Sequence, residues 1–261
     1  MTDILRGKTA LITGASSGMG ADFARQFAAL GCSLILVARR LERLQALQAE
    51  ISNQYGVPVE CVAMDLLAEA APQRLYDQLK ASGRPVDVLI NNAGLGVYGE
   101  FWRVPWERSC LMLNLDILAL THLTRLFVAD MVERNFGYVL LIASTGAFQP
   151  TPTYAAYAAA KSYVLSLGEA LHYELHRTAI KCTVLCPGVT RTEFFDVTGQ
   201  QMTLFQRSTA MESADVVRIG IRALLNGRSS VVAGRLNALF AWATRLLPRQ
   251  VLAAAAARLM R

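Results

Sequence analysis

Apolar residues along this chain follow two alternating rhythms. Short, nearly continuous apolar runs lie near 8–13, 33–38, 58–64, 86–91, 137–143, 181–186 and 229–233, each bounded by glycine, proline, asparagine or charged residues. Runs of that length without polar alternation read as strands buried on both faces. Between them lie longer stretches, such as 21–30 and the segment opening Leu41-Glu-Arg-Leu-Gln-Ala-Leu, whose apolar positions recur every three or four residues, as one helix face requires. Strand and helix alternating through 261 residues predict one α/β domain on a parallel sheet of about seven strands, with ligands at the carboxyl ends of the strands. No repeat, low-complexity stretch or long linker interrupts the pattern.

Residues 1–234 carry that alternation, and 235–261 add a helical extension of two segments separated at Pro248. In the first segment Leu236, Leu239, Phe240, Trp242, Ala243, Leu246 and Leu247 form an apolar stripe, with Arg235, Asn237 and Arg245 off it. No run of ~20 apolar residues is present there, so the extension does not span a bilayer. Packing on its own domain or on a partner subunit is the expectation, with peripheral contact to a membrane as the alternative, Trp242 and nearby arginines then lying at the headgroups.

A hydrophobic content of 53% suffices for a substantial core. The formal charge of +6 raises nucleic acid as a partner, but the basic residues are spread through the helices with no clustered arm or aromatic platform, so nucleic acid is discounted. The amino terminus, Met-Thr-Asp-Ile-Leu-Arg-Gly, enters the first strand at once, so a cytoplasmic protein is expected, with peripheral membrane association as its variant. Five cysteines show no metal-ligand spacing; Cys182 and Cys186 share a strand roughly 13 Å apart, too far to bridge. No metal is expected, and His122, His172 and His176 carry no triad signature.

The chemistry concentrates at the strand ends. Gly14-Ala-Ser-Ser-Gly18-Met-Gly20 follows the first strand and opens a helix, an arrangement in which backbone N–H groups hold a pyrophosphate. The second strand ends in Arg39-Arg40, where a site for the non-phosphorylated dinucleotide would carry an acidic residue; two arginines opening a helix favour an anion nearby, most simply a ribose 2′-phosphate, with Ser16 as an added donor. Ser144 precedes Tyr157 by thirteen residues, and Tyr157-Ala-Ala-Ala-Lys161 sets a phenol and an ammonium on one helix face. Lowering a phenol from pH ~10 to ~7 takes about 4 kcal/mol, which a neighbouring ammonium and a cationic oxidised nicotinamide can share. Tyr154 and Tyr163 lack a lysine four residues on, so Tyr157 is preferred.

With these motifs in this order the chain resembles the short-chain dehydrogenase/reductase family along nearly its whole length, through Thr13-Gly14-x-x-x-Gly18-x-Gly20, Asp65, Asn91-Asn92-Ala93-Gly94, Asn114, Ser144/Tyr157/Lys161 and Pro187-Gly188. The resemblance implies a Rossmann-type doubly wound fold. It also implies that Tyr157 exchanges a proton with the substrate oxygen, that Lys161 lowers the tyrosine's pKa and holds the nicotinamide ribose, that Ser144 hydrogen-bonds the substrate oxygen, and that Asn114 holds a water linking Lys161 to solvent. Cofactor contacts would come from Gly14, Ser16, Ser17, Gly18, Met19, Gly20, Arg39, Arg40, Asp65, Leu66, Asn92, Ala93, Gly94, Tyr157, Lys161, Pro187, Gly188, Val189 and Thr192. Asp65 would accept from the adenine amino group, or cap a helix beginning near Ala68. Thr190 stands where the family usually has an aliphatic residue.

Two segments should wall the substrate pocket, Leu95 and Tyr98 after the fourth strand and a lid bearing Phe194, Phe195, Met202 and Phe205 after the sixth. Such walls suit a hydrophobic ketone or alcohol. The expected protein is an NADP(H)-dependent oxidoreductase moving hydride between nicotinamide and that carbonyl or secondary alcohol, assembled as a homodimer or homotetramer; the competing reading is a non-catalytic NADP-binding regulatory or interaction protein on the same fold.

Overall fold

The structure is a computed structural model describing residues 2–259, with the side chains of Thr2, Asp3, Phe205 and Leu259 outside that description. Six strands succeed one another with helices between: Thr9–Thr13 (β1), Ser33–Ala38 (β2), Val59–Ala63 (β3), Val88–Asn91 (β4), Gly137–Ile142 (β5) and Ile180–Cys186 (β6). Two-residue strands Thr190–Arg191 (β7) and Met211–Glu212 (β8) then pair with each other, and Ser230–Val232 (β9) returns to the main sheet. That sheet is wholly parallel in the order β3-β2-β1-β4-β5-β6-β9. The order reverses between β1 and β4, and the crevice at their carboxyl ends is where a doubly wound sheet takes ligands.

The inner strands β1, β2, β4 and β5 are buried on both faces because helices cover both. Ala10, Ile12, Leu34, Leu36, Leu140 and Ile142 face Phe23 and Phe27 of Gly18–Ala29 (α1), Leu44 and Ile51 of Leu41–Tyr55 (α2), and Val216 and Leu224 further along the chain. The alternate residues Leu11, Ile35, Val37, Leu89, Val139 and Leu141 face Leu75 and Leu79 of Ala71–Ala81 (α3), then Leu123, Phe127 and Val164. The predicted strand starting at 86 is paired from Val88, although Asp87 already donates its N–H to the Thr9 carbonyl and accepts from the Tyr138 N–H, while the Val86 carbonyl accepts from Arg134. The helix expected near Ala68 starts instead at Ala71, one residue before Pro72, which a helix accommodates in its first turn.

The second layer holds a long helix in three parts, Trp106–Leu113 (α4), a π-helical stretch Asn114–Ala119 and Leu120–Arg134 (α5), followed by Ala155–Glu174 (α6). By length and composition the run Trp106–Arg134 could cross a membrane; here it packs against α3, α6, β4 and β5. Between β7 and β8 the chain makes a lid containing Phe194–Thr198 (α7) and Leu204–Thr209 (α8), and Ser213–Leu225 (α9) covers the α1 side of the sheet. The extension forms Arg235–Ala243 (α10) and Arg249–Leu259 (α11), divided around Pro248 as expected. Its stripe is left partly open: Leu236, Leu239, Phe240, Trp242, Leu246 and Leu247 are each about half exposed or more, while Ala241, Leu252 and Ala256 are buried.

Candidate active site

The turn after β1 is shaped by what its glycines lack. Gly14 (φ 67°) and Gly18 (φ 51°) hold left-handed backbone that a side chain disfavours. At Gly20 a Cβ would stand 2.1 Å from the Gly14 carbonyl oxygen, so only glycine lets α1 close onto the turn. Asn92 braces this turn from β4, donating to the Thr13 and Gly14 carbonyls at 3.0 and 3.3 Å, while Asn91 ties β4 to α5 through Thr124 at 2.9 Å. Ser17 stands at the N-cap of α1 but makes no capping hydrogen bond, leaving the first N–H groups directed at a cleft of about 430 Å³. These features fit a dinucleotide pyrophosphate. Gly14, Ser16, Ser17, Gly18 and Met19 line the cleft, joined by Asp65, Leu66, Asn92, Ala93, Gly94, Pro187, Gly188, Val189 and Thr192; Gly20 lies behind the wall. Asp65 does not cap a helix: its Oδ1 accepts from the nearby Leu67 N–H at 3.0 Å.

At the end of β2 both Arg39 and Arg40 line the cleft, and Arg40 is the better fixed. Its guanidinium donates to Ser16 Oγ at 3.1 Å, Ser17 Oγ at 2.9 Å and Glu193 Oε2 at 3.0 Å, and Arg43, one helical turn on, donates to the other oxygen of Glu193. The Arg43 hydrogen bond, opposed by partial burial and helped by Arg40, holds the Glu193 carboxyl down at about 2. Two arginines and the Ser17 hydroxyl therefore already hold one anion, with Ser16 bound to Arg40 beside it. Arg43 escaped the sequence reading, although its spacing from Arg40 was a usable signal.

α6 carries Tyr157 and Lys161 on one face, with the ammonium 5.6 Å from the phenol ring centre. Tyr157 hydrogen-bonds Ser144, which leaves the end of β5 in extended backbone and also accepts from the Gly146 N–H at 3.1 Å. Lys161 is 5% exposed and donates to the Ile142 carbonyl at 3.1 Å. The group facing it is Asp116, fully buried in the π-helical stretch, with Oδ2 2.9 Å from Nζ and Oδ1 accepting from the Leu95 N–H at 2.8 Å. Oδ2 meets Lys161 Nζ as an ion pair.

Asn114 Nδ2 turns back along its own helix to the Cys110 carbonyl at 2.9 Å and Sγ at 3.2 Å, and the side chain in direct contact with Lys161 Nζ is that of Asp116. Asn114 and Asp116 are the polar members of an otherwise apolar run from Leu111 to Leu120; a carboxylate there calls for a buried cation, a signal not used. Burial pushes Asp116 above the usual carboxylate range, against Lys161 and the Leu95 N–H. Burial works against the charge on Lys161, yet Asp116 and Tyr157 carry its pKa upward. Burial also raises the Tyr157 phenol, with Lys161 and Ser144 opposing and Asp116 reinforcing, so the chain alone does not lower it as expected from the lysine.

Leu95, Phe194 and Phe195 line the substrate side of the cleft, together with Tyr154, Val197 and Leu115, which were not foreseen there. Tyr98 and Met202 are not on the wall: Tyr98 packs behind Tyr154 at 5.2 Å between ring centres, and the side chain of Phe205 lies outside the described residues. Tyr154 donates to Gln200 Oε1 at 2.6 Å and so ties the lid to α6, while Phe194 lies 5.5 Å from the Tyr157 ring. Tyr163 pairs with Thr121 at 3.0 Å, away from the cleft. Among the described residues no cluster suits a metal, and all five cysteines are free.

Comparison with known proteins agrees with this geometry. The model of the short chain dehydrogenase family matches residues 8–203. An uncharacterized oxidoreductase of Myxococcus xanthus is 30% identical over 252 residues, 97% of each chain. A short-chain dehydrogenase from Sphingobium yanoikuyae, solved with NADPH, is 33% identical with a TM-score of 0.81, covering 92% of this chain and 94% of that one. A short-chain dehydrogenase/reductase from Burkholderia phymatum, solved with NAD, is 27% identical with a TM-score of 0.81, covering 91% and 92%. The chain belongs to the short-chain dehydrogenase family and is a Rossmann-type oxidoreductase that works with a nicotinamide dinucleotide.

Proposed function

We propose that this protein is an NADPH-dependent reductase, or its reverse dehydrogenase, acting on a hydrophobic ketone or secondary alcohol. The observation that carries the reading is that a single cleft joins a glycine cradle, an arginine pair already closed on an anion, and a Ser–Tyr–Lys set beside aromatic walls. Support for NADPH over NADH comes from Arg40 and Arg43: the Glu193 carboxylate between them occupies surroundings that suit a 2′-phosphate. Support for an apolar substrate comes from Leu95, Phe194, Phe195 and Val197.

When bound, the nicotinamide supplies or accepts the hydride. Gly14–Gly18 backbone and the start of α1 hold the pyrophosphate, and Asn92 keeps that turn in shape. Ser144 and Tyr157 donate hydrogen bonds to the carbonyl oxygen as negative charge develops there, and Tyr157 delivers its proton to that oxygen. Phe194 and Phe195 exclude water. A panel of ketones and alcohols with NADPH, NADH and their oxidised forms, followed by absorbance of the reduced nicotinamide, tests this. Turnover with bulky apolar ketones is expected to exceed turnover with sugars, and Tyr157→Phe to cut kcat by ~10²–10⁴-fold with NADPH affinity nearly intact. Substantial activity in Tyr157→Phe overturns the proposed role of the phenol.

Outside the cleft we place the exposed stripe of α10 and α11 on an anionic lipid surface. After Asp215 the chain has eight arginines and no acidic residue, and exposed Leu239, Trp242 and Leu246 stand among them. A second copy of the chain is the proposed cover for exposed Leu111 and Leu118 of the long helix and Tyr163 of α6.

A further inference from the structure

A buried carboxylate beside a catalytic lysine calls for a reason. Asp116 is 0% exposed, and removing an ion from water is costly unless partners compensate. Its two structural tasks, accepting from the Leu95 N–H and facing the Lys161 ammonium, need oxygen acceptors only. An uncharged amide of the same shape has such an oxygen. What the carboxylate adds is a negative charge 2.9 Å from the ammonium that is expected to favour the tyrosinate.

We propose that Asp116 is a positioning residue that cancels the Lys161 charge as felt by Tyr157 and keeps the phenol protonated through the neutral range. The inference rests on the reading of Tyr157 as the proton carrier. It follows from the geometry: the cation stands 5.6 Å from the phenol ring, and its counter-charge is buried within contact distance of it, where solvent screens neither. Burial is the largest influence holding the phenol up and Asp116 adds to it against Lys161; the remaining groups facing the pair bring no counter-charge. From β5 come the neutral Ile142 carbonyl and Ser144 hydroxyl. From β6 comes the Cys186 thiol, held up at about 12 by burial and so uncharged at neutral pH. From the start of α6 comes Tyr154, also held up at about 12 by burial and backed by Tyr98, while the lid contributes the apolar Phe194. Glu193 is engaged by Arg40 and Arg43.

The sign is definite. A protonated Tyr157 donates to a carbonyl oxygen, and a tyrosinate takes the proton from an alcohol, so the Tyr157 titration sets both the alkaline fall of reduction and the alkaline rise of oxidation. Replacing Asp116 by an uncharged residue leaves the lysine charge uncompensated and moves both limbs to lower pH.

The test compares parent, Asp116→Asn and Asp116→Ser full-length proteins. It uses kcat/KM against pH in both directions and a turnover-free readout, the ultraviolet titration of tyrosinate with each protein's Tyr157→Phe counterpart subtracted. Both substitutions are expected to move the limbs and the Tyr157 titration down by about one to two pH units, so that alcohol oxidation at pH 7 rises roughly tenfold to a hundredfold, while NADPH affinity changes less than about threefold. An unmoved pH profile and tyrosinate titration overturn the inference, as does loss of folding by both variants, which makes the carboxylate structural. Failure of the underlying reading is separate: there Tyr157→Phe itself stays active.

Discussion

Arg40→Ala separates the two dinucleotides, and the structure sizes the effect. Arg40 touches Ser16, Ser17 and Glu193 at the mouth of the cleft, and its side chain is 41% exposed. A hydrogen bond to a charged group contributes about 1.5–3 kcal/mol when sheltered, and solvent at this degree of exposure reduces that to about 1–2 kcal/mol. At 1.4 kcal/mol per decade, NADPH is expected to bind about 5–30-fold more weakly, against less than about twofold for NADH. NADH is the internal control, because losing the tether from Arg40 to the lid affects both dinucleotides alike. Glu193→Gln supplies the opposite sign: the carboxylate that competes for Arg40 and Arg43 becomes neutral, and NADPH tightens by about two- to fivefold, an exposed-pair magnitude. Titrations following reduced-nicotinamide fluorescence at two ionic strengths give all the constants, and the Arg40 contribution should shrink at high salt. Equal losses for NADH and NADPH in Arg40→Ala, or weaker NADPH binding in Glu193→Gln, refute the reasoning.

At Gly20 the expected sign is opposite to helix propensity: alanine in an open helix gains about 1 kcal/mol over glycine, but here its Cβ would stand 2.1 Å from the Gly14 oxygen. Gly20→Ala should lower the Tm by several degrees and weaken NADPH and NADH equally, and a raised Tm in a melt would show that the turn yields freely. For the extension, Trp242→Glu combined with Leu246→Glu should abolish flotation of full-length protein with anionic vesicles, binding that salt also weakens. Parent protein that stays unbound to such vesicles, or a double variant whose oligomeric state changes, overturns the lipid assignment.

What could be read from residue order was local or backbone-driven. A parallel sheet covered on both faces makes each strand a continuous apolar run, so strands such as Ser33–Ala38 stood out, and Tyr157 with Lys161 needed only the pitch of one helix. Contacts made across the fold were not legible in this way. Glu193 meets Arg40 only because β7 and β8 pair and return the lid across the cleft, a closure set by two residues on each side. In the long helix, the π-helical turns at Asn114–Ala119 change which residues share a face, so α-helical spacing alone does not bring Asp116 to Lys161. The stripe on α10 announced an interface without naming its occupant, since amphipathicity records that a face is apolar and not what covers it. The proton-handling chemistry divides along the same line. The nearness of phenol and ammonium is a property of about one turn of helix, whereas the net charge acting on the phenol depends also on Asp116, brought in from another element. A substitution at Asp116 can therefore retune the pH window while the Tyr157–Lys161 spacing remains intact.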